Sequence, residues 1–264
     1  MYTKSLAFNK RIAGNLRLPA LFISGHALYT NIMKKIIFGI FAHPDDEAFI
    51  LAGTLLKETR AGAELHLICL TDGAAGTNPD AAPNLGELRL KEWHAAGQLL
   101  GAAGMHHLGY TDGALNNTDM IEVASQIEKI VHDKLTNTTE PVEAEFIAFD
   151  LNGLTGHIDH IVASRAAMLA FYRLKASDPR IARLRLACLP YELYPAVDTM
   201  WLYMEAGRSA NEIDQVVDAR DLRNDILQVI RAHNSQRQDG NTVIRTFGDQ
   251  LGMNYFRVIP DQES

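Results

Sequence analysis

The sequence predicts an α/β fold with an open, mostly parallel sheet and helices on both faces. Three observations predict it. From Lys35 onward, short runs rich in β-branched and aromatic residues alternate with longer stretches of helical period, the pattern of parallel strands joined by crossover helices. The chain has 264 residues and 47% hydrophobic content, enough for a substantial buried core. Polar residues of metal-ligating type cluster where predicted strands give way to helices, the edge at which open α/β sheets bind ligands.

Strands are predicted at Ile36 to Ala42, Leu65 to Thr71, His106 to Gly109 and Phe146 to Asp150, with later ones near Leu184 to Leu189 and Ile213 to Asp218. Their near-continuous apolar character suits strands covered on both faces. A first helix is expected from about Pro44 to Arg60, with Phe49, Ala52, Leu55 and Leu56 on one face and Gly62 as its stop. A second runs from Leu85 to Gly101 and turns Leu88, Trp93, Ala96 and Leu100 inward; a third covers Met120 to Leu135, and a fourth follows Gly156 to about Leu174. Residues 33–264 read as a single domain. The first 32 residues carry Lys4, Lys10, Arg11 and Arg17 with no acidic partner, and their short apolar stretch is broken by Pro19. They are expected to be a dispensable extension, since a secretory leader needs a longer uninterrupted apolar core.

Composition narrows the function classes. A net charge of −7 and a pI near 5.8 give no broad basic surface for a polyanion, which argues against a nucleic-acid partner. No run reaches the roughly 20 apolar residues of a membrane span. The two cysteines, Cys69 and Cys188, lie in apolar strand-like stretches, and a reducing cytoplasm is the expected compartment. The glycine-rich stretch from Thr71 to Gly76 lacks both phosphate-loop spacings and reads as a loop with unusual backbone angles.

The chemistry is concentrated in two short runs. Ala42-His43-Pro44-Asp45-Asp46-Glu47 stands at the first strand-to-helix junction. A proline helix start and an acidic first turn account for part of it, but leave His43 and three successive carboxylates without a reason. Gly156-His157-Ile158-Asp159-His160 follows the strand ending at Asp150 and supplies two imidazoles three residues apart at a second junction. Three His and carboxylate ligands with a position left for water describe a catalytic zinc site. His43, Asp46 and His160 are the expected ligands, with iron(II) as an alternative occupant. Asp45 is placed to act as general base toward the water. His157 would face the developing oxyanion, as imidazolium or through a hydrogen bond.

These runs resemble the PIG-L, or LmbE-like, family of zinc de-N-acetylases, whose marks are AHPDDE and a later GHxDH. The resemblance extends over roughly Lys34 to Gln236. It includes Thr71-Asp72-Gly73, Arg89-x-x-Glu92, Leu108-Gly109-Tyr110-x-Asp112-Gly113 and Ala232-His233-x-Ser235-Gln236. It implies a Rossmann-like fold and removal of the N-acetyl group from an N-acetylglucosaminyl conjugate carried on a lipid, inositol, malate or related aglycone, by zinc-activated water. Its residue roles map onto His43, Asp46 and His160 as ligands, Asp45 as base and His157 as support for the tetrahedral intermediate.

By the same resemblance Arg89 and Asp112 contact the sugar, although an Arg-Glu pair on a helix also reads as a surface ion pair. His233 and Gln236 are either capping groups or pocket residues. Tyr191, Tyr194, Trp201 and Tyr203 are either an aglycone wall or core and interface packing, and a homo-oligomer is allowed. The chain departs from the commoner pattern at Ala48-Phe49-Ile50-Leu51, where many relatives are glycine-rich. Two other readings stand beside the amidase: a metal-dependent phosphoesterase, and a non-catalytic glycan- or metal-binding protein.

Overall fold

The computed structural model describes residues 33–193 and 207–259. The expectation for residues 1–32, and those for Tyr194, Trp201 and Tyr203, lie outside the described residues. Among the described residues, seven strands form one sheet: β1 (Lys34–Phe41), β2 (Glu64–Thr71), β3 (Ala102–Tyr110), β4 (Val142–Phe149), β5 (Ile181–Cys188), β6 (Gln215–Asp218) and β7 (Met253–Ile259). The order is β3-β2-β1-β4-β5-β7-β6. The first five strands are parallel, whereas β7 runs antiparallel to both β5 and β6. The order reverses between β1 and β4, so the crevice beyond the carboxyl ends of these two strands is the topological switch point.

The helices are α1 (Asp46–Phe49), α2 (Ala52–Arg60), α3 (Leu85–Leu100), α4 (Asn117–Thr136), α5 (Ile158–Lys175), α6 (Arg223–Ala232) and α7 (Arg237–Phe247). Central strands are buried on both faces, and two apolar cores result. One packs α4 and α5, through residues such as Ile127, Val131, Ala166 and Phe171, against Phe38, Ile40 and Phe146. The other packs α2, α3 and α6, through Leu55, Trp93 and Ile230, against Ile37, Leu67 and Ile147. The mostly parallel sheet clad on both faces is the architecture the sequence predicts. Cys69 and Cys188 are buried and unpaired, and no helix among the described residues is long and apolar enough to cross a membrane.

The helix expected from Pro44 to Arg60 is two helices, and the reason lies in another strand. Asn254 of β7 inserts its amide at the break: Thr54 N–H and Thr54 Oγ1 donate to Asn254 Oδ1 at 3.0 and 2.7 Å, and Asn254 Nδ2 donates to Ile50 O at 2.6 Å. The Thr54 N–H and the Ile50 carbonyl would bond each other in an unbroken helix; here one side chain satisfies both. Asn254→Ala strands these buried groups and is expected to lower stability by about 1–3 kcal/mol, read as a lower urea midpoint at unchanged slope.

Two further departures concern α3 and β7. Leu88, expected to point inward, is only partly buried, and Arg89 beside it is 4% exposed. The strand β7 and the helices α6 and α7 were not among the predicted elements.

Candidate metal centre and active-site cleft

The His43 side chain emerges just past β1, and His160 lies in the first turn of α5, after the loop that follows β4. The switch point therefore brings them together across 117 residues: His43 Nδ1 and His160 Nε2 are 3.0 Å apart. Asp46, at the start of α1, completes the group, with Oδ1 3.2 Å from His160 Nε2 and Oδ2 3.8 Å from His43 Nδ1. All three residues are buried.

Each ligand candidate is held from behind. The ring nitrogen His160 Nδ1 is 3.0 Å from the carbonyl of Gly153, which can only accept, so Nδ1 carries the hydrogen and Nε2 presents its lone pair. The approach requires glycine: at φ 70°, a Cβ on residue 153 would sit 2.9 Å from His160 Cβ and Ile161 N. In the same way His43 Nε2 is 3.0 Å from Asp112 Oδ1 and 3.3 Å from Asp159 Oδ2, which turns the Nδ1 lone pair inward. Asp46 Oδ2 accepts the backbone N–H groups of Ala42 and His43 at 3.1 and 3.0 Å, leaving Oδ1 toward His160.

Two nitrogen lone pairs facing each other at 3.0 Å repel unless a cation or proton lies between them. Ligands bonded at 2.0–2.1 Å in a tetrahedron stand about 3.3 Å apart, so the donor set and its spacing fit a divalent ion, and outer-shell carboxylate and carbonyl partners of this kind fix metal-binding imidazoles. In the protein alone, burial acts to lower the pKa of His43, but the hydrogen bonds to Asp112 and Asp159 and the charge of Asp46 outweigh it and push the value up to about 10. For Asp46, burial would raise the pKa, while His160, His43 and the backbone N–H of His43 hold it well below the usual carboxylate range.

The other expected residues surround this centre. Asp45 has φ 119°, left-handed for a residue with a side chain, a strain of about 1–3 kcal/mol. Burial pushes its carboxyl up to about 7 against the pull of Arg89. His157 caps α5 by accepting the N–H of Asp159 on Nδ1 at 3.2 Å, and its ring meets that of His43 edge-on at 4.8 Å. Burial and the neighbouring imidazoles lower its pKa, which favours a neutral ring donating from Nε2 over an imidazolium. The ring nitrogens of His43, His157 and His160 also lie within 4.8 Å of one another, so His157 and Asp46 compete for the third ligand position.

Arg89 is neither a surface ion-pair member nor a partner of Glu92. It donates from Nη1 to Gly73 O at 2.7 Å, and from Nη2 to Pro44 O at 2.7 Å and Asp45 Oδ2 at 2.9 Å. Its guanidinium occupies a slot that side chains would close, since a Cβ at Gly73 or Gly76 would come within 2.4 or 2.3 Å of it. The glycine-rich stretch thus houses an arginine. Asp112, besides holding His43, accepts the N–H of Ala75 at 2.8 Å. A cleft of about 470 Å³ opens over the centre, lined by Asp45, His157, Arg89, Asp112, Gln236 and Asp239 among others. Gln236 is thus a cleft residue, whereas His233 is buried beneath, on Glu47.

Asp159, to which the sequence assigns no role of its own, holds His43 and accepts the N–H groups of Gly113 and Leu115 at 2.8 and 3.2 Å. Its place directly before a candidate ligand was the available signal. The pair His233–Glu47 had none beyond the identity of the residues.

The parallel sheet, its switch-point cleft and the buried imidazole–carboxylate cluster define an α/β protein with an enzyme-type site at its strand ends. A family model described as GlcNAc-PI de-N-acetylase, PIG-L, matches residues 38–171, half of the chain, and the chain belongs to this family. It is similar to the 1D-myo-inositol 2-acetamido-2-deoxy-alpha-D-glucopyranoside deacetylase of Thermobifida fusca (strain YX), 28% identical over 54% of this chain and 55% of that one. The protein of that name from Mycobacterium sp. (strain KMS) is 26% identical over 79% and 76%. The chain thus matches about half the length of the first relative and three-quarters of the second. Among solved structures, N,N'-diacetylchitobiose deacetylase from Pyrococcus horikoshii superposes with a TM-score of 0.62 at 22% identity, covering 86% of this chain and 84% of that one, a likeness of fold.

Proposed function

We propose that the protein is a metal-dependent amidase that removes the acetyl group from an N-acetylglucosaminyl conjugate. The observation that carries this reading is the inward-facing pair His43 Nδ1 and His160 Nε2, 3.0 Å apart, with the remaining nitrogens fixed by a carbonyl and two carboxylates. The names of the relatives support the substrate class. In this reading His43, Asp46 and His160 would hold the ion. Asp46 is preferred to His157 as third ligand because its carboxylate offsets the charge of a dication and its Oδ1 lies 3.2 Å from His160 Nε2.

A zinc or iron(II) ion held there would supply an acidified water and a Lewis acid toward an amide carbonyl. The chain's own residues do the rest. Asp45, held by Arg89 at the cleft wall, takes the proton from the attacking water. His157 donates from Nε2 to the carbonyl oxygen as charge develops on it. Arg89 is assigned to holding Asp45 and shaping the wall; Asp112, tied to His43, leaves its outer face for a sugar hydroxyl.

The test is acetate release from a panel of N-acetylglucosaminyl conjugates on inositol, malate and a second sugar, with and without chelator. We expect release from at least one conjugate, abolished by chelation and restored by zinc or iron(II), with one ion per chain. A phosphoesterase would use two ions about 4 Å apart; two equivalents of metal together with hydrolysis of phosphate esters and none of amides would overturn the proposal.

A further inference from the structure

Glu47, the last acid of its run, and His233 belong neither to the donor set nor to the cleft, and both are fully buried. We infer that residues 233–236, acting through Glu47 and through the surroundings of Arg89, form a clamp that fixes the position of Asp45. This inference rests on the reading of Asp45 as the base. Glu47 and His233 are positioning residues within it.

The geometry runs in two branches from one short segment. His233, at the end of α6, donates from Nε2 to Glu47 Oε1 at 2.8 Å, and the other oxygen of Glu47 accepts the backbone N–H of Asp45 at 3.3 Å. That branch holds the main chain of the one residue in the motif with a left-handed φ, a conformation that persists only where surrounding contacts over-determine it. In the second branch Ser235 donates from its N–H and Oγ to Glu92 at 2.8 and 2.6 Å, anchoring α3 about one turn beyond Arg89. Gln236 Nε2 donates to Thr77 O at 2.9 Å, on the loop whose Gly73 carbonyl receives Arg89. Arg89 in turn holds Asp45 Oδ2. The backbone and the carboxylate of Asp45 are thus fixed by different partners, both tied to four consecutive residues.

A stability role alone does not explain the pair. A carboxylate and an imidazole removed from water beside an apolar core are seldom more stabilising than apolar groups of the same size, and Phe49 and Ile230 nearby show that the region packs apolar side chains. What an apolar pair could not supply is an acceptor for the Asp45 N–H.

The test uses the metal-loaded full chain. Glu47→Met fills the space without the acceptor, and we expect kcat to fall about 30- to 100-fold while KM and metal stoichiometry stay at wild-type values. His233→Leu should fall likewise, and His233→Gln, whose amide still donates toward Glu47, should recover about tenfold of that loss. A crystal structure of Glu47→Met should show residue 45 leaving the left-handed region or its carboxylate parting from Arg89. Unchanged kcat, a loss that tracks metal loss, or an unmoved Asp45 would overturn the clamp. Should Glu47→Met not fold, Glu47→Met/His233→Leu, which removes the acceptor and its buried partner together, is read by the same criteria. A wild-type protein that releases no acetate counts against the proposed function alone, and the position of residue 45 then decides the clamp by itself.

Discussion

Asp45→Asn is expected to lower kcat by about 10²- to 10⁴-fold while the protein binds metal as the wild type does. The substitution keeps shape and leaves an oxygen for Arg89, whose Nη2 lies 2.9 Å from the carboxylate; what it removes is a group able to accept a proton. Its metal retention follows because Asp45 contributes no donor to the group formed by His43, Asp46 and His160. Rates measured on the conjugate that turns over fastest, with metal analysis on the same sample, check both halves. Full activity in Asp45→Asn would remove the base, and metal loss would make Asp45 a ligand.

His43→Ala or His160→Ala should abolish metal binding and, with it, turnover. Each deletes one of two facing imidazole nitrogens, and alanine leaves no donor within reach. His157→Ala should keep its ion, because Asp46 and not His157 is assigned the third position; Asp46→Ala should lose it. Asp112→Asn and Asp159→Asn, which act on the far nitrogen of His43, should weaken metal affinity by about 10- to 100-fold. Dialysis against a competing chelator followed by metal quantitation separates these outcomes. Retained metal in both His→Ala variants would end the ligand assignment.

How much of this was legible in the sequence depended on the range of the interaction that decides each feature. The parallel strands were readable because burial on both faces writes itself as continuous apolar runs such as IIFGIFA and LHLICL. The two histidine-bearing runs were readable because each sits at a strand-to-helix junction, and the switch point makes such junctions converge. The break between α1 and α2 was not readable: the apolar spacing from Phe49 to Leu56 suits one helix, and the group that interrupts it, Asn254, lies 200 residues away. The insertion of β7 between β5 and β6 likewise leaves no local trace, since nothing in Met253 to Ile259 names its neighbours.

The site shows the same division. Residue types pointed to the candidate ligands, but not to the groups that hold them from behind. Asp159 carries no role in the sequence beyond its place in the motif until His43 is seen beside it. Arg89 reads as a sugar contact or a member of a surface ion pair until its slot of glycines appears. The pair of Glu47 and His233, 186 residues apart, joins two stretches whose meeting no periodicity announces.

Anomalous diffraction from zinc-loaded crystals is the most direct measurement of the central assignment. A single ion within about 2.0–2.2 Å of His43 Nδ1, Asp46 Oδ1 and His160 Nε2, with room for water on the cleft side, is the predicted result. An ion on the opposite nitrogen of His43, between Asp112 and Asp159, or one bound away from these residues altogether, would contradict it.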